Sequence, residues 1–296
     1  MSTEMMSSRF ADLDLWPSRD AVLAMMEGQL AAAAAVQSQA TAIAAAADQA
    51  AARLKAGAGR LVYIGAGTSG RIAVQDGVEL VPTYDWPEER LLYALAGGTE
   101  ALLTSVEGAE DDASAGEELM RSAALGPEDV AIGVAASGRT PYTVAALRTA
   151  GGQGALTIAI SSNASTPLLE AASHPILLDT GAEIVAGSTR MKAGTAQKIA
   201  LNLLSTTIML RLGRIYKGLM VNMRVSNRKL QARAAFMVAE MSGVSLGAAE
   251  EAMADAGGDI KLAALLAIGY EAGAAREALA ETTGNLRSAI ERLGRN

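Results

Sequence analysis

Along the 296-residue chain the arrangement of apolar and polar positions changes character twice. From about residue 19 to Lys55 small apolar residues are interspersed with Gln, Ser and Asp ("AVLAMMEGQLAAAAAVQSQATAIAAAADQAAARL"), and Ser18 in "WPSRD" offers an N-cap. This reads as helix. After Gly57 the chain becomes a series of short apolar runs, "RLVYIGA", "RLLYALAGG", "DVAIGVAAS", "ALTIAISSN" and "PILLDTGAE", separated by Gly- or hydroxyl-rich turns and helical stretches. Near-continuous rather than alternating hydrophobicity predicts strands buried on both faces, which is a parallel sheet flanked by helices. The fold class is α/β. From "GSTRMKAGTAQKIALNLLSTTIMLRLG" onward the strands stop, and helices broken at Gly213, Gly243, Gly257, Gly269 and Gly284 follow. Three segments are expected: an N-terminal helical one over 1–56, the α/β domain over 57–239 and a small C-terminal helical module over 240–296.

Composition narrows the chemistry. A formal charge of -7 with 25 Lys plus Arg argues against a surface built for nucleic acid phosphates or anionic lipid. The Ala-rich stretch carries polar residues throughout and never reaches the roughly 18 consecutive apolar residues of a membrane span. The opening "MSTEMMSSRFADLD" has no basic segment leading into an apolar core, so a secretory signal is not expected and the protein is placed in the cytoplasm. The sequence contains no cysteine, which removes thiolate nucleophiles and cysteine-ligated metals, and its one histidine, His174 before an apparent strand, is read as structural. Asp111 and Asp112 are adjacent, yet nothing spaced nearby completes an oxygen cage, so cofactor-free chemistry with no metal is expected. Most of the acidic cluster "GAEDDASAGEE" (108–118) reads as a solvated helix.

The informative local feature is "GAGTSG", residues 65–70, which follows a strand and opens a helix. A dinucleotide site would also want an acidic residue at the end of the next strand, but that strand ends "LYALAGG". Thr68 and Ser69 instead add hydroxyl donors beside Gly67. A second copy of the pattern follows in "VAIGVAASGRTPYTVAAL", with Ser137, Arg139 and Thr140. Two such turns at the carboxyl ends of parallel strands suit one phosphate rather than a dinucleotide. Arg71 and Arg139 are open between ligand contacts and pairing with helix carboxylates.

"GAGTSGR", "EGAEDD", "AASGRTPY" and "GSTRMKAGTAQK", in this order, resemble the N-acetylmuramic acid 6-phosphate etherases, which are built on the sugar isomerase (SIS) fold, a Rossmann-like sandwich. The resemblance is close from about residue 57 to 240 and looser to the end, and residues 1 to 35 depart from the family's usual opening. It implies a phosphorylated amino sugar as substrate and a homodimer with sites near the subunit interface, while the charge balance speaks against a nucleic acid or membrane partner. The implied reaction removes D-lactate from carbon 3 by elimination and then adds water, which calls for two carboxylates with separated roles. Carried over by motif, Glu79 in "QDGVELVPTY" is the general acid and Glu110 in "EGAEDD" the base, with Glu107 the alternative on sequence alone. Leu80 and Val81 stand where the family often has Cys-Pro, and the apolar neighbours of Glu79 are expected to desolvate it. Glu183 is expected to contact the sugar or assist ring opening, and Lys192 to lend positive charge to the lactyl or phosphate group.

Two other readings fit the same fold. An aldose-ketose isomerase would rely on Glu183 and need no carboxylate at Glu110, and a non-catalytic sugar-phosphate sensor would not require the pairing of Glu79 with Glu110.

Overall fold

A computed structural model describes residues 1–55 and 57–294. The five expected strands form one wholly parallel sheet: β1 (Leu61–Gly65), β2 (Leu91–Leu95), β3 (Val130–Val134), β4 (Leu156–Ser161) and β5 (His174–Leu177). Their spatial order is β2-β1-β3-β4-β5, with Leu61 in register with Leu91 on one side and Val130 on the other. Every residue of β1, β3 and β4 is buried, the reason these segments read as continuous apolar runs. His174 pairs with Ile158 at the sheet edge, in keeping with a structural role.

The chain runs from β1 to β2 on one side and then returns to place β3 on the other, so its direction reverses between β1 and β3. In open parallel sheets that reversal opens a crevice at the carboxyl ends of the two strands. The helices that follow these strands are α3 (Gly67–Tyr84) after β1 and α5 (Pro141–Gly152) after β3, while α4 (Ala113–Ala123) precedes β3. Gly116 of α4 lets that helix lie on α5, since a Cβ there would fall 2.5 Å from the Tyr142 carbonyl oxygen. A short α6 (Pro167–Glu170) and the long α7 (Lys192–Arg211) complete the layer set.

The division into domains differs from the sequence reading. The chain forms two compact units, Met1–Val78 with Glu88–Thr207, and Glu79–Pro87 with Ile208–Asn296. The N-terminal helices α1 (Ser18–Gln37) and α2 (Ala40–Lys55) therefore belong with the sheet rather than forming a domain of their own. The cause is the stripe Ile43, Ala46, Ala47, Ala50 and Leu54, all buried and useless to an isolated helix. The single helix expected to Lys55 is broken after Gln37 and bends by 56°, and Pro17, not Ser18, occupies the N-cap position of α1. No single helix among the described residues is long and apolar enough to cross a membrane.

The second unit contains α8 (Arg228–Ser242), α9 (Leu246–Asp255), α10 (Ile260–Ile268), α11 (Ala272–Glu281) and α12 (Leu286–Leu293). Here "GAAEEAMADAGGDIKLA" (247–263) returns as "GAAREALAETTGNLRSA" (273–289), each copy a helix, a Gly turn and a capped second helix. Equivalent residues do equivalent work. Ala249 and Ala275, Ile260 and Leu286, and Ala263 and Ala289 are all buried, while Asp259 caps the amides of Lys261 and Leu262 and Asn285 caps that of Ser288.

Candidate active site at the carboxyl end of the sheet

Both glycine-hydroxyl turns lie at the β1/β3 crevice. In the first, Gly67 opens α3 with φ +52° and open space around its Cα. Gly70 closes the turn: a Cβ there would lie 2.4 Å from Leu95 Cδ1 and 2.9 Å from the Gly65 carbonyl oxygen, so only glycine lets α3 approach the strand. Ser69 is buried and Thr68 half-buried in this first turn of helix, where main-chain N–H groups lack intrahelical acceptors.

The second turn, Ala135–Thr140, leads into α5, whose N-cap is Thr140 and whose first residue is Pro141. Ser137 Oγ accepts from the Arg139 amide at 3.2 Å and stands 3.5 Å from Thr140 Oγ1, so the two hydroxyls face the same side. Gly138, at φ +65°, packs directly on the loop after β4, where a Cβ would meet Thr166 Oγ1 at 2.3 Å and Ser161 Oγ at 2.5 Å. Arg139 is exposed, and its Nη2 donates to the Ser165 carbonyl at 3.5 Å.

Glu110 is brought to these turns by backbone bonding. The Tyr142 amide, at the start of α5, donates to the Glu110 carbonyl at 3.1 Å. A cavity of about 350 Å³ is lined by Gly67, Arg71, Ser105, Glu107 and Glu110 among others, so the first turn and both candidate bases share one wall. Arg71 pairs with backbone carbonyls rather than with a helix carboxylate. Its Nε donates to the Ala101 carbonyl at 2.8 Å and its Nη2 to that of Thr104 at 3.2 Å, pinning the start of the loop that ends at Glu110. Asp112, two residues on, caps α4 through the Ala115 amide at 2.9 Å. Burial and then the charge of Asp112 push the Tyr142 phenol upward.

Glu79 lies on α3, twelve residues past Gly67, which at 1.5 Å per residue is about 18 Å along one helix. The expectation that its apolar neighbours desolvate it is not met: Glu79 is exposed, because adjacent helix positions point in different directions. Leu80 faces inward and Val78 is half exposed.

Glu183 lies against the start of α7. It is fully buried, and its two carboxylate oxygens accept the amides of Lys192 and Ala193, each at 2.9 Å, at the start of α7. Lys192 is buried too, and its ammonium donates to the Ala182 carbonyl at 2.7 Å. The pair closes the loop before α7, with one amide on each carboxylate oxygen and one carbonyl on the ammonium. Among the described residues, no group of three or more His, Cys, Asp or Glu is placed to hold a metal ion.

Two features escaped the sequence reading. Asp76, a buried carboxylate on α3, accepts from Tyr63 Oη at 3.0 Å, Asn202 Nδ2 at 2.8 Å and Ser205 Oγ at 3.2 Å, tying α3 to β1 and α7. Beside it, Tyr93 stacks on Tyr63, and burial pushes the Tyr93 phenol to about 12. The other is the hydroxyl-rich "SSNAST" after β4, whose Ser162 Oγ and Thr166 Oγ1 are buried without a protein partner. A third strand followed by clustered hydroxyls was the signal available for it.

Residues 42–151 match the family described as the glucokinase regulatory protein N-terminal SIS domain. A putative phosphosugar isomerase involved in capsule formation from Bacteroides fragilis has the same fold, with a TM-score of 0.50 at 18% identity over 67% of this chain and 94% of that one. The fold is therefore that of the SIS proteins. An N-acetylmuramic acid 6-phosphate etherase of Deinococcus radiodurans is 46% identical over 264 residues, 89% of this chain and 86% of its own. One from Symbiobacterium thermophilum is 50% identical over 217 residues, 73% of this chain and 72% of its own. The chain belongs to the N-acetylmuramic acid 6-phosphate etherase family.

Proposed function

We propose that the protein cleaves the lactyl ether of N-acetylmuramic acid 6-phosphate to N-acetylglucosamine 6-phosphate and D-lactate, acting in the cytoplasm in cell-wall sugar recycling. The observation that carries this reading is the bond from the Tyr142 amide to the Glu110 carbonyl, which sets a carboxylate-bearing loop against the second hydroxyl turn. In this scheme the phosphate is received by Gly67, Thr68 and Ser69 of the first turn and Ser137, Arg139 and Thr140 of the second, the turns that follow the paired strands β1 and β3. With the sugar ring open, the aldehyde acidifies the proton on carbon 2. Glu110 takes that proton as the carbon 3–oxygen bond breaks and an acid protonates the departing ether oxygen, releasing lactate and leaving a carbon 2–carbon 3 double bond. Water then adds its oxygen at carbon 3 and a proton returns to carbon 2, so the net change is hydrolysis.

Glu79 is the acid in this scheme. Its distance of about 18 Å from Gly67 along α3 exceeds the length of a hexose 6-phosphate held at that turn. In a homodimer, then, the Glu79 that serves one site is delivered by the second copy. The isomerase reading would depend on Glu183, each of whose oxygens accepts an amide at the start of α7. Incubation with N-acetylmuramic acid 6-phosphate in heavy-oxygen water should release lactate and place one label at carbon 3 of the product. Absence of lactate, or unlabelled product, refutes the scheme.

A further inference from the structure

The start of the chain is stitched into the crevice just described. Thr3 is fully buried, and Asn163, in the loop after β4, is nearly so. Asn163 Oδ1 accepts from the Ser2 amide at 2.8 Å and from Ser2 Oγ at 3.1 Å. Its Nδ2 donates to Thr3 Oγ1 at 3.1 Å and to the Ala136 carbonyl at 2.9 Å. A side-chain amide has two acceptor positions and two donor hydrogens, and here all four are used. Three go to residues 2 and 3, and the fourth goes to the residue before Ser137. On its other side the segment is held by the Gly187 amide, which donates to the Thr3 carbonyl at 3.2 Å, and the Glu4 carboxylate lies over Gly187. Residues 2–4 thus bridge the "SSNAST" loop and the "GSTR" loop at the carboxyl end of the sheet.

We propose that Ser2, Thr3 and Asn163 are positioning residues of the phosphate site, forming a clasp that holds the Ala136 carbonyl and with it the Ser137–Thr140 turn in the form that receives a phosphate. Ala136 O is one of the points where that turn is tied down: the Ser162 amide donates to it at 3.1 Å and Ser161 Oγ, at the end of β4, at 3.4 Å, while the Leu168 amide holds the Gly138 carbonyl at 3.1 Å. Without Thr3 and Ser2, Asn163 would be left with buried, unpaired polar atoms, and rotation of its amide to satisfy them would remove the shortest of the three bonds to Ala136 O and loosen the turn. Thr3 is buried in a leading segment that is otherwise exposed or half-buried, and the Asn163 amide is buried opposite it, so each polar group has lost water and relies on the other for a hydrogen bond.

This rests on the reading of the Ser137–Thr140 turn as a phosphate site, and its test is separable from the reaction. Three variants suffice: Thr3→Val, which keeps the shape and removes the hydroxyl, Asn163→Ala, and the triple replacement Ser2→Gly, Thr3→Gly, Glu4→Gly. The readouts are calorimetric affinity for N-acetylglucosamine 6-phosphate, competitive inhibition by inorganic phosphate, KM and kcat for ether cleavage, and Tm. Thr3→Val should weaken both phosphate probes about three- to tenfold and raise KM by the same factor, with kcat within about twofold and Tm within a few degrees. The triple replacement should weaken them about tenfold or more, and combining Thr3→Val with Asn163→Ala should cost no more than Asn163→Ala alone. Unchanged affinity in Thr3→Val and the triple variant, or additive losses in the combined one, overturns the clasp. If the wild type binds both probes but releases no lactate, the reaction scheme fails while the clasp is still decided by binding.

Discussion

Replacing Glu183 by Gln separates two roles for a carboxylate that motif resemblance assigns to the sugar and the structure assigns to the start of α7. Both oxygens accept main-chain amides at 2.9 Å in a site closed to water. In the glutamine variant one oxygen remains an acceptor, and the other position becomes an NH2 group facing an N–H. One hydrogen bond to a charged acceptor is lost, about 1.5–3 kcal/mol, and a buried donor is left unpaired at comparable cost. The favourable interaction of a negative charge with the helix N-terminus goes too, about 0.3–1 kcal/mol or more when buried. Partial relaxation of the loop offsets some of this, leaving a net loss of about 3 kcal/mol. For a unit of this size each kcal/mol lowers Tm by about 2–4 °C, so calorimetry should show a drop of about 6–12 °C. At a temperature well below the new midpoint, KM should stay within about twofold of wild type, because no ligand contact has been removed. A Tm within 2 °C of wild type together with a KM raised tenfold would refute the capping argument and restore Glu183 to the substrate.

Three further outcomes follow from the same geometry. Mixing inactive Glu79→Gln and Glu110→Gln dimers and allowing subunits to exchange should restore activity to at most about a quarter of wild type, since each mixed dimer then has one complete site; no recovery places both groups in one chain's site. Gly70→Ala should cost about 1–3 kcal/mol and weaken phosphate binding, because the new methyl would overlap Leu95 Cδ1 and the Gly65 backbone; full stability and affinity would show that α3 has room. Lys261 is buried in the helical unit, where burial first and Arg214 second lower its pKa to about 8, with Asp259 opposing. The unfolded chain, with its ordinary value near 10.5, therefore binds the proton first as pH falls. Stability of that unit should rise as pH goes from 8 to 10.5 and be flat below 8; Lys261→Met should flatten the rise, and an unchanged slope in the urea midpoint refutes this.

The strands and the two glycine turns could be read from sequence because their causes are local. A strand buried on both faces must be apolar at every position, and a helix that starts against a strand end needs glycine where the backbones meet, as Gly65 and Gly70 show. Glu110 was found through its motif, and its cavity with Gly67 follows from where β1 and the preceding loop end up. The roles of Glu183, Arg71 and Asn163 could not be found that way. A carboxylate next to a helix start, an arginine after a phosphate-type turn and an asparagine in a polar loop have the same local signature whether they face a ligand or the chain's own backbone. Which they face depends on residues brought together from far apart, such as Ser2 with Asn163 and Arg71 with Ala101. Sequence alone therefore determined the α/β sheet, the position of its turns and the chemistry available to it. Tertiary structure decided which polar groups are spent on holding those turns in place and which remain for a substrate, because hydrogen-bond capacity is finite and only the folded chain allocates it.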